Sequence, residues 1–136
     1  SQDKPLATQK CVPCASCGGN PNLLSEEQIT QYMSQICPSW TLSQDKKSIS
    51  RTFATKNFMA GMDFLNKLAA IAEEEGHHPD VSLIGYRNVT VTLSTFSIGG
   101  LHDNDFILAA KSDAIPVDYS PNYLKENPRI TAGVAR

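Results

Sequence analysis

The amino-acid sequence predicts an α+β fold, a four-stranded antiparallel sheet with three helices packed on one face in the order α-β-β-α-β-β-α. Two observations carry this prediction. Short segments with strand-like alternation occur in two pairs, and each pair is joined by a short polar turn, which is typical of a hairpin. Segments with apolar residues at helical spacing precede, separate and follow the two pairs. In chain order, the segments are 25–37, 40–42, 48–53, 57–75, 81–86, 88–96 and 103–112.

The first two helices carry recognisable start and stop residues. Ser25 and Gln28 form a capping box, in which each side chain accepts a hydrogen bond from the backbone amide of the other residue. Pro38 ends the first helix. Asn57 caps the second helix, and Gly76 ends it in a left-handed conformation. The stripe of the second helix that is expected to face the core is Phe58, Met62, Leu65, Ala69 and Ala72, widened by Leu68 and Ile71.

The last predicted strand, 88–96, has two faces of different chemistry because side chains alternate along a strand. One face is apolar and is expected to meet the helices: Val89, Val91 and Leu93. The other is rich in hydroxyl groups and is expected to line a site or a subunit contact: Thr90, Thr92, Ser94 and Phe96.

Composition divides the 136 residues into three segments. Residues 1–24 are predicted to be an irregular, cysteine-containing arm that folding does not need. Residues 25–113 form the domain, and residues 114–136 form an extended, proline-containing tail that is partly disordered or draped over a neighbour. Twelve basic and 14 acidic residues give a net charge of −2, which argues against direct binding to nucleic acid. The longest apolar stretches are too short to span a membrane, and the sequence opens without a secretory signal.

Four cysteines permit several interpretations. Cys11, Cys14 and Cys17 are spaced as in an iron–sulfur cluster motif, but Pro21 stands where the fourth ligand would be. A zinc site that includes Cys37, a redox disulfide and free structural thiols remain as alternatives, and free thiols are favoured. The compartment stays open, whether cytoplasmic or organellar after removal of a targeting peptide.

The segment 73–80 has the strongest signal for chemistry. His77 and His78 are adjacent just past a helix end, and imidazole both donates and accepts a proton near neutral pH. Pro79 restricts His78 to extended backbone. Carboxylates one turn upstream can orient an imidazole, although Glu73, Glu74 and Glu75 oppose the helix dipole, so they are either solvated or serve a purpose. An exposed His-His-Pro turn without function is the main alternative, and a metal site is disfavoured because adjacent residues rarely share one ion.

Two residues near the start of the third helix have capping as their favoured role. Asp105 lies in the first turn, where a carboxylate stabilises the helix dipole, and capping is favoured over catalysis there. His102 occupies the N-cap position itself. A role of His102 in proton transfer is the less favoured alternative.

Several of these positions together resemble a known signature. Glu73-x3-His77-His78-Pro79, followed by Tyr86, Ser94-Thr95, Gly100-Leu101 and Asp105, looks like the pattern of pterin-4a-carbinolamine dehydratases. The resemblance covers about 25–113. It implies a dehydratase that removes water from 4a-hydroxytetrahydropterin to give the quinonoid dihydropterin in tetrahydrobiopterin recycling, without a metal or an organic cofactor.

The resemblance also implies roles for individual residues. His77 is the leading acid/base candidate, His78 binds and orients the pterin, and Glu73 supports the pair. The substrate-binding candidates are Pro79, Ser94, Thr95, Phe96 and Asp105. The backbone near Ser94 and Thr95 is expected to meet the amide edge of the pterin.

One position departs from the family pattern, because Phe96 stands where relatives have histidine or tryptophan. Phenylalanine cannot transfer a proton, so catalysis is expected to be weakened. An alternative function follows, in which a weakly catalytic scaffold acts as a protein-assembly or dimerisation factor. The family resemblance also implies a homodimer or homotetramer, and the cysteine arm is reminiscent of plant and algal organellar members.

Overall fold

The computed structural model describes residues 5–11 and 23–128, except for the side chain of Phe96. Four strands and four α-helices of this part follow in the order α-β-β-α-β-β-α-α. They are α1 (Glu26–Met33), β1 (Thr41–Leu42), β2 (Ile49–Ala54), α2 (Phe58–Glu75), β3 (Asp80–Ile84), β4 (Asn88–Leu93), α3 (Asp103–Asp113) and α4 (Pro121–Glu126). Leu6–Thr8 and Phe96–Ile98 are 3-10 helices.

The strands form one antiparallel sheet in the order β1-β2-β4-β3. Val91 of β4 lies opposite Arg51 of β2 on one side and Val81 of β3 on the other. Helix α2 connects β2 to β3, so β4 lies between the strands that precede and follow this helix. The predicted fold class and both predicted hairpins are confirmed.

The core lies between the helices and one face of the sheet. Val89, Val91 and Leu93 are at most 1% exposed, which confirms the predicted apolar face of β4. Phe53 of β2 meets Phe64 of α2 edge to face at 4.9 Å between ring centroids. Such aromatic pairs stabilise a core beyond the area that they bury.

The predicted core stripe of α2 is wrong in part. Phe58 is 50% exposed and Met62 is 36% exposed. The buried positions of the helix are Gly61, Phe64, Leu68, Ala72 and Glu75. The reason is the close approach of α2 to the sheet, because a Cβ atom at Gly61 would lie only 3.0 Å from Cδ1 of Leu83. Helix α2 carries apolar residues on more than one side, so the spacing alone predicted a stripe next to the one that is buried.

Three predicted elements end earlier than expected, and one of them is strand β3, which ends at Ile84 and not at 86. Helix α1 ends at Met33 and not near 37, although Ile36 is still buried. Strand β4 ends at Leu93 because the chain then closes a tight loop, in which the Thr95 amide donates to the Gly100 carbonyl at 2.8 Å. Phe96 therefore begins a 3-10 helix, and its predicted place on the strand face with Ser94 is wrong.

The segment after α3 packs against the chain's own sheet. The Ser120 amide donates to the carbonyl of Ala54, and the Tyr119 ring contacts Phe53 edge to face. Helix α4 follows, with Pro121 as its first residue. The prediction of an entirely extended tail is therefore wrong for 121–126. Proline fits the first turn of a helix, where its missing N–H costs nothing, so this proline marked a helix start.

The described part of the N-terminal arm also packs on the domain. Leu6 is 3% exposed and Cys11 is 7% exposed, and both belong to the hydrophobic core. This burial argues against the expectation that the arm is dispensable for folding. The boundaries of the three segments stay a prediction.

Candidate functional site

The end of helix α2 directs the first histidine into the protein. Gly76 has φ 68°, and its amide donates to the carbonyl of Ala72 at 2.9 Å. The His77 amide donates to the same carbonyl at 3.2 Å. A left-handed residue at this position is ordinary only for glycine and turns the chain sharply out of the helix. The predicted terminator is confirmed, and His77 follows it directly.

His77 forms a buried pair with Asp105. Nε2 of His77 lies 2.6 Å from Oδ1 of Asp105, and the two residues are 5% and 0% exposed. An ionised carboxylate only accepts hydrogen bonds, so opposite such a group a neutral imidazole places its hydrogen on Nε2 and its lone pair on Nδ1. A carboxylate that holds one ring nitrogen in this way orients the imidazole and stabilises its protonated form.

The second oxygen of Asp105 anchors the start of α3. Oδ2 accepts a hydrogen bond from Oγ1 of Thr95 at 2.8 Å and from the His102 amide at 3.0 Å. Nδ1 of His102 in turn accepts from the Asn104 amide at 3.0 Å, which completes a capping box. The predicted capping roles of Asp105 and His102 are confirmed. Asp105 also binds His77, which the sequence did not reveal.

His78 lies in a different environment from its neighbour. Its Nε2 is 2.5 Å from Oε2 of Glu73, and the two side chains are 61% and 77% exposed. Glu73 therefore contacts His78 and not His77. The two histidines thus form two separate pairs with carboxylates, one buried and one exposed to solvent.

A cavity of about 160 Å³ opens beside the exposed pair. Glu73 and His78 are the polar side chains among its lining residues, which also include Pro79 but not His77. Its walls are apolar side chains of α2 and β3: Leu65, Leu68, Ala69, Ala72 and Val81. An apolar cavity with a few polar groups at one edge is the usual form of a small-molecule site.

The remaining predicted substrate-binding residues lie after β4. Thr95 is 2% exposed, and both its amide and its hydroxyl are bonded within the protein. Ser94 is half-buried between β4 and Thr95. The predicted contact of the Phe96 side chain lies outside the described atoms. The roles of all these residues in binding stay a prediction.

The cysteines that the structure describes are buried thiols. Cys11 is 7% exposed and Cys37 is 3% exposed, and Sγ of Cys11 donates to the Asn104 carbonyl at 3.7 Å. Burial, together with the nearby Glu75 carboxylate, raises the pKa of Cys11 to about 12. A thiol with such a pKa is a poor nucleophile and metal ligand. Cys14 and Cys17 lie outside the described residues, so their predicted alternatives remain. Within residues 5–11 and 23–128, no three His, Cys, Asp or Glu side chains are grouped as metal ligands.

A buried ion pair next to the site escaped the sequence analysis. Glu75 is 7% exposed, and its Oε2 lies 2.7 Å from Nζ of Lys111 on α3. Oε1 accepts from the Cys11 amide at 2.8 Å. Burial by itself raises the pKa of Glu75, but the hydrogen bonds from Lys111 and the Cys11 amide outweigh it and hold the pKa below its usual range. The signal in the sequence was the unfavourable position of this acid in the last turn of a helix.

No helix in the described part of the chain combines the length and apolarity needed to cross a bilayer.

Comparisons with known proteins agree on one family. The family described as pterin 4 alpha carbinolamine dehydratase matches residues 22–115. Pterin-4-alpha-carbinolamine dehydratase 2, mitochondrial, from Arabidopsis thaliana is 42% identical over 115 residues, which are 83% of this chain and 60% of that protein. This chain therefore spans less than two thirds of the Arabidopsis relative.

Two further comparisons cover nearly all of the related protein. A relative from Azoarcus sp. (strain BH72) is 42% identical over 83% of this chain and 92% of its own length. The crystal structure of a transcriptional coactivator/pterin dehydratase from Brucella melitensis superposes with a TM-score of 0.63 at 30% identity, over 68% of this chain and 97% of that one. This chain, with its buried His77–Asp105 pair, therefore belongs to the pterin 4 alpha carbinolamine dehydratase family.

Proposed function

We propose that this protein dehydrates 4a-hydroxytetrahydropterin to the quinonoid dihydropterin by histidine acid/base catalysis, as a 4a-hydroxytetrahydrobiopterin dehydratase. Family membership supports the substrate class. The observation that carries the mechanism is the buried pair of His77 and Asp105, with Nε2 at 2.6 Å from the carboxylate. A carboxylate-oriented imidazole suits proton transfer at neutral pH.

The reaction needs one proton delivered and one removed. The C4a–O bond breaks as the departing hydroxyl is protonated, N5 loses its proton, and a C4a=N5 double bond forms. Water is the only product besides the dihydropterin, so no net proton is consumed. In this proposal Nδ1 of His77 exchanges the proton with the substrate, while Asp105 holds the ring by Nε2 and stabilises its charged form.

The exposed pair and its cavity are proposed to bind the pterin. The apolar walls formed by Leu65 and Val81 offer contact to a flat heterocycle, and His78 with Glu73 supplies polar groups at the rim. Ser94 is proposed to meet the amide edge of the ring. Thr95 already bonds Asp105 and Gly100, so its proposed part is to hold Asp105 in place.

The direct test is the rate of dehydration of 4a-hydroxytetrahydropterin above the spontaneous rate. We expect the wild-type chain to accelerate it and His77→Ala to lower turnover by ~10²–10⁴, the usual contribution of a general acid or base. Lys67→Met is the matched control, because Lys67 forms an exposed ion pair with Asp63 on the same helix. If His77→Ala keeps more than about half of the turnover, proton transfer by His77 is wrong.

A second candidate function is a protein-assembly or dimerisation factor. Large apolar side chains are exposed on α2, on β3 and in the turn after β3: Phe58, Met59, Val81, Ile84 and Tyr86. Apolar groups exposed together mark surfaces for protein contacts. The Brucella melitensis structure is also described as a transcriptional coactivator. A folded wild-type chain that does not accelerate dehydration but co-purifies with a stoichiometric partner would favour this function.

The same exposed apolar side chains support the proposed homodimer or homotetramer. Sedimentation of the wild-type chain and of Met59→Lys should separate oligomer from monomer, since Met59 is 71% exposed in the single chain. We also propose an organellar location, on the strength of the mitochondrial name of the Arabidopsis relative. Microscopy of the tagged full-length protein tests this location.

A further inference from the structure

Glu75 is a buried carboxylate in an unfavourable place. It is the last residue of α2, where the helix dipole opposes negative charge, and it is 7% exposed. Removing a charged carboxylate from water costs free energy unless its oxygens find charged or hydrogen-bonding partners. The partners of Glu75 therefore decide whether the end of α2 can keep this conformation.

Those partners come from two other segments of the chain. Nζ of Lys111, on α3, lies 2.7 Å from Oε2, and the Cys11 amide donates to Oε1 at 2.8 Å. The Cys11 thiol also donates to the carbonyl of Asn104, the residue before Asp105. Segment 5–11 thus contacts both Glu75, two residues before His77, and the first turn of α3.

Two contacts connect the end of α2 to α3, at two positions along α3. His77 binds Asp105 in the first turn of α3, and Glu75 binds Lys111 six residues further along the same helix. Six residues of helix span about 9 Å. A single contact would leave the end of α2 free to pivot about it. Two contacts at this separation restrict both its distance from α3 and its rotation.

We infer that Glu75 is a positioning residue, which keeps the His77 imidazole on Asp105 through its bonds to Lys111 and to the Cys11 amide. Segment 5–11 then takes part in the site, although it lies before the residues matched by the family. The inference rests on the proposed function only for its effect on turnover. The contact between His77 and Asp105 is measurable without any substrate.

Loss of the Glu75 contacts is expected to lower the rate of catalysis, because proton transfer is sensitive to the position of the catalytic group. A shift of about 1 Å in a catalytic group can cost as much as 10²-fold in rate. We therefore expect Glu75→Gln and Lys111→Met to lower kcat by roughly 10-fold or more and to leave KM within about twofold. Lys111→Arg keeps a cationic donor and should retain near wild-type turnover.

The decisive measurement is the ¹⁵N chemical shift of the His77 ring nitrogens in the folded, full-length protein. Glu75→Gln and Lys111→Met should change these shifts, because the bond from Nε2 to Asp105 weakens. Lys111→Arg and the control Lys67→Met should leave them unchanged. Leu6→Ala loosens segment 5–11 at its buried anchor and should move the shifts in the same direction as Glu75→Gln.

The outcomes separate this inference from the proposed function. Unchanged His77 shifts in Glu75→Gln and Lys111→Met overturn the inference, whatever happens to turnover. Changed shifts in a protein that never dehydrates pterins support the positioning role and refute the proposed function. If Glu75→Gln fails to fold, Lys111→Met and Leu6→Ala decide the question by the same shifts.

Discussion

Nε2 of His77 lies 2.6 Å from Oδ1 of Asp105, although 28 residues separate them along the chain. Two local structures meet at this contact. Gly76 turns the chain out of α2 so that His77 points towards α3, and the capping box of α3 presents Asp105 from its first turn. The same carboxylate therefore stabilises a helix and orients an imidazole.

Asp105→Asn should separate these two roles. The amide oxygen of asparagine can still accept from Thr95 and His102 and keep the helix cap. Its NH₂ group can only donate towards Nε2, so the hydrogen of His77 must move to Nδ1. We expect turnover to fall by ~10²–10⁴ with little change in melting temperature. Asp103→Asn, the same change two residues earlier in α3, is the control. A full loss of the fold would show that capping dominates.

His78→Ala should impair binding more than chemistry. His78 is exposed at the rim of the cavity and pairs with Glu73. Glu73→Gln should impair binding in the same way but more weakly. We expect KM to rise severalfold while kcat changes little, as for a residue that contributes equally to ground-state and transition-state binding. Steady-state kinetics measure both constants. A loss of turnover with unchanged KM would reverse the roles of His77 and His78.

Phe96→His should raise the dehydration rate. A phenyl ring cannot exchange a proton, and a well-placed acid or base contributes ~10²–10⁴, so about a 10-fold gain is expected for imperfect placement. The backbone of residue 96 starts a 3-10 helix and not a strand position, so the prediction depends on residue type and family resemblance. Phe96→Gln adds polarity without a titratable group and is the control. Equal gains from both substitutions would contradict proton transfer at this position.

Glu75 should make the protein sensitive to acid. Its pKa in the folded chain lies below the usual value near 4.5, so the unfolded chain binds more protons in acid. Its contribution to the free energy of unfolding is complete above pH 4.5 and is lost as the pH falls through the lower folded pKa. Denaturation of Glu75→Gln should therefore show a deficit at pH 7 that shrinks below about pH 4. Glu74→Gln, an exposed neighbour, should show no such change. A deficit that stays constant with pH would contradict this prediction.

Asp113→Ala should destabilise the fold. Oδ2 of Asp113 accepts from the Cys37 amide at 2.8 Å, and Oδ1 accepts from Nε1 of Trp40 at 2.9 Å and from Arg51 at 3.3 Å. Arg51 is 1% exposed, so its charge would remain buried without this partner. Breaking one side of a buried ion pair costs about 3–5 kcal/mol. Chemical denaturation measures the loss. Asp63→Ala removes an exposed pair and should cost under about 1 kcal/mol, and a similar loss in both variants would refute the role of Arg51.

The features that depend on neighbouring residues could be predicted from the sequence. The caps at Ser25 and Asn57, the terminator at Gly76 and the two hairpins are all made by groups within a few positions of one another. Such hydrogen bonds form in the same way in any fold, so their residues can be read directly. The family resemblance was equally accessible, because it depends on residue types at fixed spacings along the chain, from Glu73 to Asp105.

The surfaces that meet in the folded chain could not be predicted in this way. Helix α2 is apolar on more than one side, and the close packing of Gly61 against Leu83 selected the buried side. Asp105 lies 28 residues after His77, and Lys111 lies 36 residues after Glu75. Both pairs therefore depend on how α2 and α3 pack against each other. An acid at the end of a helix looked unfavourable in the sequence, because the cation and the amide that stabilise it come from distant parts of the chain.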